Sequence, residues 1–322
     1  MVEQLRPAGV ILFARNVEEP DQVRNLVAML QDVDPQPFVA VDLEGGTVNR
    51  LSGIWGPLPS PAEAAVVGRR AVRALGEAAG AACRSLGIHL DLAPVIDLAR
   101  PTGLIASQSR CLSESPERVV VLARVFAQGL AAWAVSGCLK HFPGLGAVAV
   151  DTHETLPVLD LDESEMELHL SAFSQLSEEI PVVMVGHAVA PFVGDRERPA
   201  SLSAAAVELA ATLPGSPVVL SDDLEMGALN GFGDLPDRVV AALRARTHGA
   251  LVCSAFDRLG EIAERLRLET AHDHAFAAVA DAMAARIDTL RRDLCQRSAA
   301  VPAPDDRSVA QLWQRARREA EA

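Results

Sequence analysis

Residues 181–187 read PVVMVGH, an apolar and mostly β-branched run that opens on proline and closes on glycine and histidine. A short run without alternating polar residues is typical of a strand buried on both faces, as in a parallel sheet. Six further short, β-like runs recur along the chain, each bounded by turn residues. Together the seven runs cover residues 9–13, 37–41, 88–93, 137–140, 181–185, 217–220 and 249–253.

Helical patterns separate these runs. Residues rich in Ala, Leu, Val, Arg and Glu recur at helical spacing over 21–31, 61–86, 116–133 and 204–213. Strands that alternate with helices predict an α/β protein with a parallel sheet. Seven strands without an intervening flexible linker favour one TIM (β/α)8-type barrel over two doubly wound domains. We therefore predict a single barrel domain over residues 1–300 and a charged C-terminal tail or helix over 301–322.

The strand count is one short of a closed eight-stranded barrel, and the first run starts at residue 9. The prediction is therefore a barrel that lacks its first strand in this chain. Such a barrel would leave two unpaired sheet edges. We expect either that the protein begins further upstream or that another segment closes the gap.

Composition excludes several classes of partner. The chain has 322 residues, is 49% hydrophobic and carries a net charge of -14, so neither nucleic acid nor an anionic membrane is an expected partner. No apolar stretch approaches the ~20 residues that span a bilayer, and no signal-peptide pattern opens the sequence. Five widely spaced cysteines without a C-x-x-C pair predict free, mostly buried thiols. These features together predict a cytoplasmic protein.

Polar residues stand where the predicted strands end. They are Asp42, Lys140, His141, His187, Asp222 and Asp223. Because the carboxyl ends of parallel strands open onto one face, these ionisable side chains are expected to converge on one pocket.

Several catalytic and cofactor-binding motifs are absent from the sequence, which excludes the corresponding reactions for this pocket. It contains no glycine-rich nucleotide loop, no H-E-x-x-H, no three histidines at zinc-ligand spacing and no G-x-S-x-G elbow. We therefore expect neither a cofactor nor a metal, and we interpret Glu44-Gly45-Gly46 as a turn. Carboxylates and imidazoles remain, which suit a nucleophile and a proton carrier.

A second signal is Asp151-Thr-His153, which follows a Gly/Pro loop. Alternate residues of an extended segment share a face, so the carboxylate can hold one ring nitrogen and leave the other for a substrate. The glycines of the loop would let the histidine swing towards a bound substrate. The alternative is a local turn in which Asp151 only caps the backbone.

The sequence resembles the family 3 glycoside hydrolases, specifically the bacterial single-domain β-N-acetylglucosaminidases of cell-wall recycling. The resemblance covers most of residues 9–255, in family order. It rests on ILFARN (11–16), VDLEGGTVNRL (41–51), LDLAPVIDL (90–98), SRCLSESPE (109–117), KHFPGLGAVAVDTHETLPVLD (140–160), PVVMVGHAVAP (181–191), PASLS (199–203) and SDDLEMGAL (221–229).

The resemblance implies roles for named residues. Asp222 corresponds to the catalytic nucleophile, His153 to the general acid/base and Asp151 to its dyad partner. The positions implied to hold the sugar hydroxyls are Asp42, Arg110, Lys140 and His141. Asp223 and Glu225 are implied to support structure or solubility. The implied activity is retaining hydrolysis of terminal GlcNAc from small peptidoglycan-derived fragments.

Three departures from the family pattern surround this site. Leu145 stands where a second histidine is usual, Ala147 where Asp or Thr often follows, and Arg110-Cys-Leu where R-S-F is familiar. Because of these departures, the resemblance defines the type of reaction more closely than the preferred sugar.

Alternatives therefore stay open. They are a β-glycosidase of other sugar preference, a phosphorylase and a degenerate sugar-binding barrel. Phosphorolysis is included because a neutral base would not repel phosphate. A metal hydrolase is disfavoured by the absence of ligand spacing.

Overall fold

The computed structural model describes residues 5–149, 155–159 and 161–322. Its strands, in chain order, are β1 (Gly9–Leu12), β2 (Phe38–Val41), β3 (Leu43–Gly45), β4 (Val48–Asn49), β5 (Leu90–Asp91), β6 (Leu139–Phe142), β7 (Val182–Val185), β8 (Val218–Asp223) and β9 (Gly249–Leu251). Each of the seven predicted runs overlaps one parallel strand, although the run at 88–93 shortens to the two residues of β5, and β6 and β8 extend beyond their runs to Phe142 and Asp223. The predicted α/β class with parallel pairing is confirmed.

The parallel strands follow chain order in space. One sheet has the order β1-β2-β5 and the other β6-β7-β8-β9. Isolated parallel bridges between Leu90 and Ser136 and between Val95 and Lys140 join β5 to the start of the second sheet. Within the described ranges, β1 pairs only with β2 and β9 pairs only with β8, so the pairings form an open row of seven strands.

Helices fill the connections between the strands. They are α1 (Pro20–Gln31), α2 (Ser52–Trp55), α3 (Pro61–Val67), α4 (Arg69–Ser85), α5 (Leu104–Ser107), α6 (Pro116–Ala131), α7 (Glu163–Leu176), α8 (Ala204–Ala211), α9 (Leu235–Arg244), α10 (Leu259–His272), α11 (His274–Ala299) and α12 (Asp306–Ala320). The helical pattern over 61–86 forms two helices, α3 and α4. Gly68 divides it with a φ of +115°, a backbone conformation that a side chain would strain.

The strands are apolar on both faces. One face packs with the surrounding helices, and the other forms a separate cluster that includes Phe38, Leu90 and Leu220 of the strands together with Ile287 of α11. Every residue of β2, β6 and β7 is buried. This double burial explains why the strands read as continuous apolar runs.

The charged C-terminal helix α12 contributes to the core. Trp313 is only 2% exposed, its ring lies 5.6 Å from that of Trp55, and its indole N–H donates to the carbonyl of Pro57 at 3.2 Å. The five cysteines are free, and all but Cys295 are buried, as predicted. Among the described helices, none combines the length and the apolar character that crossing a membrane requires.

Helices α4 and α6 cross in close contact through glycines. A Cβ placed on Gly76 would lie 2.2 Å from the carbonyl oxygen of Phe126, and one on Gly129 would lie 2.5 Å from the amide nitrogen of Glu77. Neither backbone can move away without separating the helices. The close crossing therefore requires glycine, which has no side chain, at both positions.

We predict that Gly76→Ala lowers the free energy of unfolding by about 1–3 kcal/mol, because the added methyl overpacks a backbone contact. Urea unfolding measures this change. Gly260→Ala is the matched control: it lies in the exposed start of α10 with nothing within 4 Å of the new methyl, and it should be neutral or stabilising by up to about 1 kcal/mol. Equal effects of the two substitutions would contradict this account of the crossing.

Candidate active site

The polar residues predicted at the strand ends lie at or near the carboxyl ends of three parallel strands, which alternate with others in the row. Asp42 follows β2 directly, Lys140 and His141 lie within β6, and Asp222 lies near the end of β8. Arg110 reaches the same region from the loop before α6. Five of the seven predicted site residues can therefore be placed in the structure.

A buried carboxylate, that of Glu44, joins two of them, and Asp42 contacts the same lysine. The Lys140 Nζ lies 2.7 Å from Asp42 Oδ1 and 2.6 Å from Glu44 Oε1. The guanidinium of Arg110 donates to both oxygens of Glu44, each at 2.8 Å, in a bidentate pair. Glu44 thus connects residues that lie far apart along the chain, and we refer to Asp42, Glu44, Arg110 and Lys140 as the ionic cluster.

All charges of the ionic cluster are compensated. Burial by itself would raise the pKa of Glu44, but Lys140 and Arg110 outweigh it and lower the value to about 2. Burial would likewise lower the pKa of Lys140, and the carboxylates of Asp42 and Glu44 raise it instead. Asp42 and Arg110 keep 15% and 14% of their side chains exposed, so a ligand can reach the cluster through these two residues.

Glu44 was not predicted as a site residue, because the segment that contains it was interpreted as a turn. A usable signal was present, because Asp42 and Glu44 are separated by one residue and so share a face of an extended chain. The intervening Leu43 is buried, and its amide donates to Asp91 Oδ1 at 2.9 Å. Burial raises the pKa of Asp91 well above its usual range, and its side chain holds this segment in place.

His141 is fixed by a second buried carboxylate. Its Nδ1 lies 2.7 Å from Asp97 Oδ2, and Asp97 Oδ1 accepts the backbone amide of Leu145 at 2.6 Å. Burial acts to raise the pKa of Asp97, but His141 and these amides bring it below the usual value. With Nδ1 engaged, Nε2 is the ring nitrogen left to contact a ligand.

The two aspartates at the end of β8 have different electrostatic environments. Burial acts to raise the pKa of Asp222, but His141, His187, the amide of Asp223 and Lys140 outweigh it and lower the value. Asp223 has its pKa raised to about 6, mainly by burial. Asp222 is therefore ionised at neutral pH, the state that a carboxylate nucleophile requires.

Neighbouring contacts hold the end of β8. His187 Nε2 lies 2.8 Å from the carbonyl oxygen of Asp223, which can only accept, so this nitrogen carries the proton and Nδ1 accepts from the Ser201 hydroxyl at 2.7 Å. Glu225 Oε1 accepts three successive backbone amides of the loop after β9, those of Cys253, Ser254 and Ala255. Glu225 therefore braces this loop.

The predicted dyad, Asp151 and His153, lies outside the described residues. Its assignment as general acid/base with a carboxylate partner stays a prediction. What the described residues bring together is an ionised aspartate, an anchored imidazole and a charge-balanced set of donors and acceptors.

We predict that Glu44→Gln strongly destabilises the protein at neutral pH, because it leaves two buried cations with one carboxylate. The folded pKa of about 2 lies below the ordinary 4.5, so the stabilisation is complete above pH 4.5 and is lost as pH falls towards 2. That shift corresponds to about 3 kcal/mol. Urea unfolding across this pH range should show the difference between wild type and variant narrowing at low pH.

Glu264→Gln is the matched control, since Glu264 makes an exposed ion pair with Arg267 at 2.7 Å. It should change stability little at any pH. Parallel stability curves for wild type and Glu44→Gln would show that Glu44 does not hold the cluster.

The chain resembles known proteins both in its family model and in overall sequence. The family model of the glycosyl hydrolase family 3 N terminal domain matches residues 1–282. The chain is similar to a beta-hexosaminidase of Xylella fastidiosa, with 36% identity over 258 residues that cover 76% of each chain. A beta-hexosaminidase of Pseudomonas aeruginosa is 34% identical over 254 residues, 76% of this chain and 75% of the relative.

A solved structure is similar as well. NagZ from Neisseria gonorrhoeae, in complex with N-trifluoroacetyl-D-glucosamine, superimposes with a TM-score of 0.71 at 27% identity, over 98% of this chain and 85% of that one. The predicted resemblance is confirmed: the chain belongs to glycoside hydrolase family 3.

Proposed function

We propose that this glycoside hydrolase is a retaining exo-β-N-acetylglucosaminidase that releases terminal GlcNAc from peptidoglycan-derived fragments. The observation that carries the proposal is the ionised Asp222 at the end of β8, held beside His141 and the ionic cluster. The printed names of the relatives, beta-hexosaminidase and a NagZ with a bound glucosamine derivative, favour an amino sugar as the glycone.

The ionic cluster suits a sugar ring. Neighbouring hydroxyls each donate one hydrogen bond and accept others, so a binding surface needs acceptors and donors side by side. Asp42 supplies the acceptor, and Arg110, Lys140 and His141 supply the donors. Because Glu44 already compensates the charges of Lys140 and Arg110, the surface binds a neutral sugar without requiring an anionic group on it.

The first chemical step is displacement at the anomeric carbon. A carboxylate oxygen of Asp222 bonds to that carbon while the bond to the leaving oxygen breaks. His153, protonated and with Asp151 as its proposed dyad partner, gives its proton to the leaving oxygen. The product is a glycosyl-aspartate with inverted configuration.

The second step reverses these roles. Neutral His153 takes a proton from water, whose oxygen bonds to the anomeric carbon as the bond to Asp222 breaks. Two inversions retain the β-configuration. The low pKa of Asp222 makes it a good leaving group in this step as well as an ionised nucleophile in the first.

The barrel fold and the biological role are part of the same proposal. We assign the seven parallel strands to a TIM (β/α)8-type barrel with one position open, because they follow chain order and carry the site at their carboxyl ends. Peptidoglycan recycling in the cytoplasm is the proposed role, and small GlcNAc-containing muropeptides or disaccharides are the proposed substrates.

A panel of p-nitrophenyl β-glycosides tests the sugar. We predict hydrolysis of the N-acetylglucosaminide at least ten times faster, in kcat/KM, than of the glucoside, and no activity of Asp222→Ala. Parallel assays with and without phosphate distinguish water from phosphate as the acceptor by detecting the sugar 1-phosphate. Activity confined to the glucoside would overturn the proposed substrate.

The role of His153 is tested by the leaving group. We predict that His153→Ala lowers kcat/KM by about 10²–10⁴-fold on substrates with a sugar leaving group and far less on activated nitrophenyl glycosides, since only the former need a proton. The exposed His272→Ala, at the end of α10, is the control and should leave both rates unchanged. Equal losses on both substrates would rule out His153 as the acid.

A further inference from the structure

The carboxyl end of β7 lies between two parts of the candidate site. In the second sheet, β7 is placed between β6 and β8. Directly after β7, a Cβ placed on Gly186 would lie 3.2 Å from the Cβ of His141, and the next residue, His187, contacts the carbonyl of Asp223 at 2.8 Å. The loop that follows, residues 188–200, therefore begins beside the site, and we call it the β7 loop.

The base of the β7 loop is held by backbone pairing on both sides. Val189, where the chain leaves the strand, and Pro199, where it returns, form an antiparallel bridge. On its other side, Val189 accepts the amide of Leu159 at 2.8 Å and donates to the carbonyl of Pro157 at 2.9 Å. The segment that contains these two residues follows the predicted dyad by only a few positions in the chain, so it and the β7 loop are joined.

The tip of the β7 loop presents one aromatic ring. The amide of Val193 donates to the carbonyl of Ala190 at 3.1 Å, and both residues are buried. The amide of Asp195 donates to the hydroxyl of Ser203 at 3.2 Å. Between these contacts Phe192 is 55% exposed, the most exposed aromatic side chain among the described residues. A single exposed apolar side chain is common on protein surfaces, but this one belongs to a braced turn beside the site.

We propose that Phe192 is the binding platform for the leaving-group sugar, with its ring packed against the apolar face of the pyranose that is joined to the terminal GlcNAc. The inference rests on the proposed function and extends it to the other side of the bond that is cleaved. In a β-linked glucose-type ring the substituents are equatorial, so the two faces present C–H groups, which suit the flat surface of an aromatic ring.

The direction in which the leaving group departs supports this placement. A displacement puts the nucleophile and the leaving oxygen on opposite sides of the anomeric carbon. Because Asp222 approaches from the end of β8, the leaving oxygen points away from the strands and towards the loops. The β7 loop is joined there to the segment that follows His153, the proposed proton donor to this oxygen. Val158, in that segment, is 59% exposed and adds a second apolar side chain to the surface.

Such a platform selects by contact area. A phenyl ring has no hydrogen-bonding group, so its contribution to binding depends on the apolar surface that the ligand covers. The ring should therefore favour a leaving group that is a sugar over one that is too small to reach it, without altering the reaction at the anomeric carbon.

The test compares two substrates that differ only in the leaving group. The β-linked disaccharide of GlcNAc has a sugar that can pack on Phe192, whereas the β-fluoride of N-acetylglucosamine has none. Phe192→Ala removes the ring, and Phe192→Trp keeps an aromatic surface. Met29→Ala is the matched control, because Met29 is another exposed apolar residue, at 70%, and lies on α1.

We expect Phe192→Ala to lower kcat/KM by about tenfold on the disaccharide and by less than about twofold on the fluoride, because only the disaccharide loses apolar contact. Phe192→Trp should keep at least about half of the disaccharide rate, since its ring offers similar area. Met29→Ala should change neither rate. Equal losses on both substrates, or an unchanged disaccharide rate, would overturn the inference while leaving the proposed function intact. A wild type that hydrolyses neither substrate would overturn the proposed function, and this inference with it.

A binding measurement separates contact with the sugar from chemistry. Phe192→Trp is combined with Asp222→Ala, which cannot form the glycosyl-enzyme, and tryptophan fluorescence is followed on addition of the disaccharide or of GlcNAc. The protein with Asp222→Ala alone gives the background from the three native tryptophans. The disaccharide should change the emission of the introduced indole, and GlcNAc at the same concentration should not. Equal responses to the two sugars, or no response to the disaccharide, would show that position 192 does not contact the leaving-group sugar.

Discussion

The carboxylate of Glu44 is the interaction on which the site depends. Lys140 and Arg110 bring two positive charges to the same buried region, and without an anion between them they would repel each other and lose their hydration. Glu44, itself 1% exposed, contacts both at 2.6–2.8 Å. It therefore joins the segment after β2, the loop before α6 and β6, and it fixes donors in the positions that a sugar ring would need.

The same principle separates the two adjacent aspartates. Asp222 and Asp223 are chemically identical, yet nearby imidazoles and Lys140 lower the pKa of one while burial raises that of the other to about 6. The carbonyl of Asp223 accepts the ring N–H of His187, which sets the backbone from which Asp222 projects. Environment, not residue type, thus selects Asp222 as the ionised member of the pair.

The strands could be predicted because continuous burial leaves a simple pattern, and the polar residues after β2 and β8 were found because they interrupt it. Two local features were not predicted, one set by long-range partners and one by a backbone angle. Glu44 was interpreted as part of a turn, because its partners Arg110 and Lys140 lie far away in the sequence. The end of a helix at Gly68 depends on a positive φ, which the composition of the segment does not reveal. Asp151 and His153 remain known from their motif alone.

The open edges and the site lie on different strands, which bears on how the protein can work. Asp42, Lys140 and Asp222 come from β2, β6 and β8, each of which has strand or bridge partners on both sides. The partly exposed strands β1 and β9 carry none of the predicted site residues. Since local opening begins where burial is least, the partly exposed strands β1 and β9 should open first, while the geometry of the ionic cluster is held by the paired strands between them.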